Sequence, residues 1–233
     1  MKDKMLRISI STLLVLMIFP YNGNCQKSFL RAGFGLTESV GKAFPAKFGP
    51  GTELAYVMKA SSGFYLGLGL DYYSCEEFGR SIHVPGNLTS DEHVFNRLNT
   101  FAAGAMAYLD LSPRSRTKFF VGGRLALRHV TSKMMHDGYT LLVLATENTL
   151  YEKKTLGPAG EVFISLFMPL TKKAISPIGL ELKCGIVTGG KISYVNSNGV
   201  YYNSSMDKIM IPAPREATLS SINSSIAFVW NFN

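Results

Sequence analysis

The chain is poor in the residues that staple or metallate small secreted folds: among 233 residues there are three cysteines, four histidines and one tryptophan. Cys25, Cys75 and Cys184 are too few and too far apart for a disulfide framework. His83, His93, His129 and His136 lack metal-ligand spacing, so neither a metal site nor a cofactor is expected. Charge is scarce too, at 17%. It leans basic, 24 against 16 for a formal +8, but it is scattered along the chain, which argues against nucleic acid as a partner. No apolar run reaches the roughly 20 residues that a comfortable transmembrane helix needs, although 46% of the residues are hydrophobic. A chain of this composition that enters a membrane enters as strands.

Residues 1–25 read as a cleaved secretory leader. Lys2, Lys4 and Arg7 form a basic start, residues 8–19 an apolar run, and Pro20 stops it. Gly23 and Cys25 fit the small-residue positions of a peptidase site, so the mature chain is expected to begin at Gln26 and to form one domain over 26–233. Cys25 has a second reading as an acylated lipoprotein cysteine, which Asn22-Gly23-Asn24 before it fits poorly.

From Gln26 onward, stretches of about ten residues alternate apolar with small or polar side chains, the period-two mark of strands with two unlike faces. Eight are expected, at 29–37, 52–60, 64–73, 99–111, 118–130, 157–168, 178–186 and 222–232. In the third, Phe64, Leu66, Leu68, Leu70 and Tyr72 oppose Tyr65, Gly67, Gly69, Asp71 and Tyr73; in the last, Ile226, Phe228, Trp230 and Phe232 oppose Ala227, Val229 and Asn231. The alanines of the fourth leave its facing open. Connections alternate. Ser61-Ser62-Gly63, 113–117 and 170–177 are short reversals, whereas those after the first, third, fifth and seventh strands are long, among them 76–97, 131–155 and 188–216. In the last, Asn198-Gly199 suggests a hairpin extending the seventh strand. Residues 139–145 (Tyr-Thr-Leu-Leu-Val-Leu-Ala) are apolar for a loop, and are expected to pack over a barrel mouth, to extend the neighbouring strands, or to meet another protein.

Short and long connections in strict alternation describe an all-β fold: an eight-stranded antiparallel up-and-down transmembrane β-barrel with short periplasmic turns, long extracellular loops and both termini periplasmic. A soluble calyx shares the period but points its apolar face inward. The other face decides between them: Gly33, Gly35, Gly67, Gly69, Gly122, Gly179 and Gly185 suit a crowded interior better than a solvated surface. Aromatic residues gather at strand ends, with Phe29, Phe64, Phe119, Trp230 and Phe232 expected in the girdle at the periplasmic rim and Tyr72 in that at the outer rim.

With its leader, Leu66-Gly67-Leu68-Gly69-Leu70 and the terminal 226–232 run, the chain resembles the small OmpA-like and OmpX-like outer-membrane β-barrels, in particular those of Bacteroidetes-type bacteria, over essentially all of 26–233. The resemblance implies a bacterial outer-membrane location and recognition of the last strand by the barrel-insertion machinery. Such chains usually end on the aromatic itself, and here Asn233 follows Phe232. The family has no shared catalytic residues.

The period places Arg31, Lys59, Arg124, Arg128 and Lys183 in the lumen with Glu53, Asp71, Glu161 and Glu181. Signs so nearly balanced imply a cross-strand ion network that plugs the barrel, since isolated buried charges are costly; a narrow conducting path is the alternative. Lys42, Lys47, Arg80, Arg97, Lys133, Lys153, Lys154 and Lys191 are expected around the outer rim, against lipopolysaccharide phosphates. His129, with Thr131 two residues on and a loosely placed Glu147, raises a lipid-modifying enzyme, but supplies neither the serine nor the orienting acid of such a site. The expected role is structural or adhesive, through loops that meet lipid, lipopolysaccharide or an extracellular protein.

Overall fold

The computed structural model describes residues 28–40, 48–77, 79–83, 91–140, 143–171, 178–206 and 208–232. The expected leader at 1–25 and the loop cations Lys42 and Lys47 lie outside them. Eleven strands form: β1 Ser28–Ser39, β2 Gly49–Ser61, β3 Phe64–Glu76, β4 Arg80–His83, β5 Asp91–Asp110, β6 Lys118–Thr140, β7 Val143–Pro169, β8 Ile178–Tyr194, β9 Tyr201–Asn203, β10 Lys208–Met210 and β11 Arg215–Phe232.

Eight of them close a ring. β1 pairs antiparallel with β2 and with β11, from Ser28↔Phe232 to Ser39↔Ser221, and β3 pairs with β5, so the order β1-β2-β3-β5-β6-β7-β8-β11 returns on itself. Closure satisfies the edge groups that an open sheet would leave bare. Seven of the eight expected segments lie within one ring strand each, and the fourth, 99–111, runs one residue past the end of β5 at Asp110. β4 pairs with the first residues of β5, and β9 with β10 makes a separate small hairpin.

The period-two pattern sorts the two faces. Phe34, Leu125, Leu127, Val162, Ile186 and Ile226 point outward and are 58–78% exposed, while Arg31, Glu53, Asp71, Arg124, Glu161, Glu181 and Lys183, on the other parity, are at most 5% exposed. A calyx with an apolar interior has the opposite arrangement. β5, whose facing the sequence leaves open, turns Leu98, Ala102, Met106 and Tyr108 inward.

Three long connections differ from the loops expected of them. Residues 131–140 and 143–155 are strand: β6 and β7 run on together to Thr140↔Val143, which is the strand-extension alternative for the described part of that apolar segment. Likewise 76–97 holds β4 and the first turns of β5. Asn198-Gly199 does not make the hairpin. The Asn196 side chain accepts from the Asn198 amide and caps a 3-10 turn over Ser197–Gly199, and the hairpin follows as β9 and β10.

Glycines set how closely the walls approach. A Cβ on Gly122 would lie 2.3 Å from Phe163 Cζ, and one on Gly67 would lie 2.3 Å from the Tyr56 carbonyl oxygen. Gly122→Val is therefore expected to push Phe163 out of place and to cost about 1–3 kcal/mol, as overpacking does, read as a lower urea midpoint in detergent micelles; an unchanged midpoint would contradict the packing described.

Candidate functional site: the filled lumen and the rim cations

Four layers of side chains fill the lumen. At the short-turn end lies an aromatic floor. Phe29, Tyr65, Tyr108, Phe120 and Phe163 meet edge-to-face or tilted, with ring centroids 4.9–6.0 Å apart. Such pairs add to area burial. Phe29, expected in the girdle, is instead 8% exposed inside this floor; it shares the parity of Arg31, and the parity wins over its place at a strand end. Of the other expected girdle residues, Phe119, Trp230 and Phe232 face outward at this rim, Phe64 is half-buried, and Tyr72 is exposed toward the opposite one. Phe34 and Phe101 are exposed apolar rings outside the expected girdle.

Above the floor sits the ionic layer. Arg31 is bonded to Glu53, reaches Glu181 through Nε at 3.0 Å, and donates to Ser225 Oγ at 2.7 Å. Lys183 Nζ bridges Glu53 at 3.1 Å and Glu161 at 2.8 Å; Arg124 pairs with Asp71 and, at 2.9 Å, with Glu161. Tyr73 donates its hydroxyl to Glu53. The network thus joins β1, β2, β3, β6, β7, β8 and β11 across the lumen. Four cations, Arg31, Arg124, Arg128 and Lys183, stand beside four anions, Glu53, Asp71, Glu161 and Glu181, all at most 5% exposed. Neutrality within one layer is what makes such burial tolerable, because each lone buried ion costs several kcal/mol. Lys59 is not part of it: it is half-buried near the short turn, opposite Tyr65. Neither Tyr73 nor Ser225 is among the expected members of the ion network, though their parity with Asp71 and with Val229 places both inside.

Arg128 stands apart from its fellow ions. It is 2% exposed and its terminal nitrogen donates to the Gly189 carbonyl at 3.2 Å. Among the described residues no carboxylate lies within ion-pair distance of it. Beyond it come an apolar layer of Cys75, Leu98, Val130, Ile192 and Leu219, and then a cap of Ile82, Val94, Met134, Val195 and Val200. Cys75 in this layer and Cys184 on the outer wall are both free thiols.

The expected rim cations do not converge on one spot. Arg97 pairs with Glu76 at 2.6 Å and lies over the Phe95 ring; Arg80 donates to the Asn198 carbonyl at 2.8 Å. Lys133 and Lys154 share Glu152, at 3.7 and 2.9 Å. The hydrogen bond from Lys154, with Lys133 nearby, holds the Glu152 carboxyl below its ordinary range. Lys153 and Lys191 are exposed. His129 is half-buried, opposite Phe101 in register, and Thr131 is 9% exposed, opposite Asn99; the side chain of Glu147 is outside the described residues. No group of three or more His, Cys, Asp or Glu able to hold a metal occurs among the described residues.

Removing one member of the ionic layer strands its partners. Arg31→Met leaves Glu53 and Glu181 each short of a cation and is expected to destabilise the barrel by about 3–5 kcal/mol, measured by urea unfolding in micelles. A change below about 1 kcal/mol would mean that these ions are effectively solvated.

No family model and no curated protein matches the chain. Among solved structures it is similar to Neisserial surface protein A, at 14% identity and a TM-score of 0.47 over 88% of this chain and 97% of that one. It is similar to a major outer membrane protein from Thermus thermophilus, at 11% identity and a TM-score of 0.45 over 90% and 100%. A third likeness is to Ail, the attachment invasion locus protein of Yersinia pestis, solved with the heparin analogue sucrose octasulfate, at 8% identity and a TM-score of 0.42 over 89% and 99%.

Proposed function

We propose that this chain is an integral bacterial outer-membrane β-barrel, non-enzymatic, that acts through the face it presents outside the cell. One observation carries the reading: the ring is inside out, with ions and aromatic rings sealed in its lumen and a continuous belt of exposed Leu, Ile, Val and Phe around its wall. Water leaves such a belt unsatisfied and hydrocarbon does not. Short turns then lie on the periplasmic side with both termini, and β5, β6 and β7 stand outside as a wall of strand. A resemblance to OmpA-like and OmpX-like barrels of Bacteroidetes-type bacteria fits this reading, as does an aromatic-rich last strand for the insertion machinery. The filled lumen favours a structural or adhesive role over conduction.

The outer wall sets the contact chemistry. Lys133, Lys153, Lys154 and Lys191, with Arg80 and Arg97, offer scattered cations to lipopolysaccharide phosphates or to an acidic surface of an extracellular protein. Glu152 holds two of those lysines back. The proposal assigns no catalytic role to His129 or Thr131.

Three measurements test this. Unboiled protein from outer membranes should migrate differently from boiled protein; a chain that folds in the soluble fraction without detergent overturns the reading. Leu125→Arg, in the middle of the belt, should cost about 2–4 kcal/mol of stability in bilayers, whereas in a solvated wall it would cost next to nothing. Glu152→Gln should strengthen retention on lipopolysaccharide about two- to fivefold at low salt, with the gain fading as salt rises; equal retention would remove these lysines from the contact.

A further inference from the structure

The wall of the barrel is broken between β7 and β8. β7 is paired with β6 along its length, but with β8 only as far as Ala159↔Gly189, so the β8-side edge of β7 over residues 143–158 has no ladder partner among the described residues. There β8 leaves the wall. Gly189 and Gly190 take φ of +113° and +81°, and both stand opposite the single residue Leu219 of β11, a bulge at which the pairing shifts from Ser220↔Thr188 to Thr218↔Lys191. Bulges re-aim the side chains that follow them. Val187 points inward before the bulge, and Ile192, on the other parity, points inward after it.

The displaced segment lies behind β7, inside the lumen. A Cβ on Gly157 would sit 3.6 Å from Gly190 Cα, and one on Gly190 would sit 3.3 Å from Arg128 Cδ. Side chains replace the lost ladder. Arg128 donates to the Gly189 carbonyl at 3.2 Å, Thr155 donates to the Lys191 carbonyl, and the Tyr151 and Ser193 hydroxyls meet at 2.8 Å. Farther out, Asn96 donates to the Val195 carbonyl at 3.0 Å and Ser197 to Glu77 at 2.9 Å, so the described residues 190–206 and 208–219 are seated on the mouth by side chains. Beneath it are Cys75, Leu98 and Val130, with Arg128 at the base and the ionic layer as a floor.

We propose that this end of the lumen is a closed vestibule, that residues 190–206 and 208–219 are its cover, hinged at Gly189-Gly190 and the facing Leu219, and that its ligand is a small amphiphile with an apolar chain and an anionic group taken by Arg128. When the cover swings out, the vacant edge of β7 receives β8 back into the wall, so the ladder hydrogen bonds gained offset the side-chain clasps lost. Arg128 then loses the hinge carbonyl and is left as a buried guanidinium facing an apolar chamber, which an anion would satisfy. The chamber is blind: the ionic layer below it stays shut.

Cys75 reports the cover directly. In the Cys25→Ser, Cys184→Ser variant it is the remaining cysteine, and a membrane-impermeant maleimide is applied to protein folded in lipid nanodiscs, with gel migration of the unboiled sample as the check that the barrel is intact. Thr155→Ala removes a clasp, and Gly190→Ala places a Cβ at a positive φ that disfavours the bulge. Each is expected to speed Cys75 labelling about tenfold with the folded band unchanged. Octanoate is expected to slow labelling of the opened variant about fivefold, octanol at the same concentration to do little, and Arg128→Gln in that background to erase the difference. Labelling that rises only as the folded band disappears, or that neither variant changes, overturns the hinge. Equal protection by octanoate and octanol overturns the anion site. If Gly190→Ala does not fold, Thr155→Ala serves both arms.

Discussion

Closure of the ring between β1 and β11 is the constraint from which the other features follow. Once Ser28 is paired with Phe232 and Ser39 with Ser221, every ring strand has two neighbours and the two faces of the sheet become an inside and an outside. An eight-stranded ring has an interior only wide enough for side chains, so whatever the inward parity supplies has to fit and to be satisfied there. Glycine answers the first demand where walls and rings crowd, as Gly122 does against Phe163. Pairing answers the second, which is why Arg31 touches Glu53, Glu181 and Ser225 at once and why the cations and anions of that layer are equal in number.

The same constraint explains the layering. Ions cannot be spread along a narrow lumen without partners, so they gather at one height, and apolar or aromatic side chains fill the heights above and below. The aromatic floor and the apolar layer exclude water from the ionic layer, which strengthens its attractions. Arg128 sits at the edge of this arrangement, close enough to balance the count yet bonded to a backbone carbonyl that the broken ladder leaves free.

Much of this was legible in the sequence because an apolar outer wall and a filled lumen impose a strict period of two. Arg31, Glu53, Asp71, Arg124, Glu161, Glu181 and Lys183 could be placed inside by parity alone, and the alternation of short and long connections gave the topology. Legibility ended where the apolar belt ends. Beyond it neither face of a strand has to be apolar, so 131–155 reads as a long connection although 131–140 and 143–155 are strand. The two glycines at 189 and 190 mark a place of freedom without telling which way the chain turns, and the inversion of parity beyond them is a tertiary outcome. Phe29 shows two signals in conflict, end position against parity, and the sequence does not say which one governs. Tyr73 and Ser225 were within reach of the period but carried no charge to draw notice.

The strands are very unequal in height. β6 has 23 residues and β7 has 27, while β1 has 12 and β2 has 13; at about 3.3 Å per residue the tall pair is roughly twice the length of the short one. Among the described residues the mouth is therefore a parapet on one side and a ledge on the other, so whatever meets the barrel from that end meets β6 and β7 first and on their flanks as well as their tips.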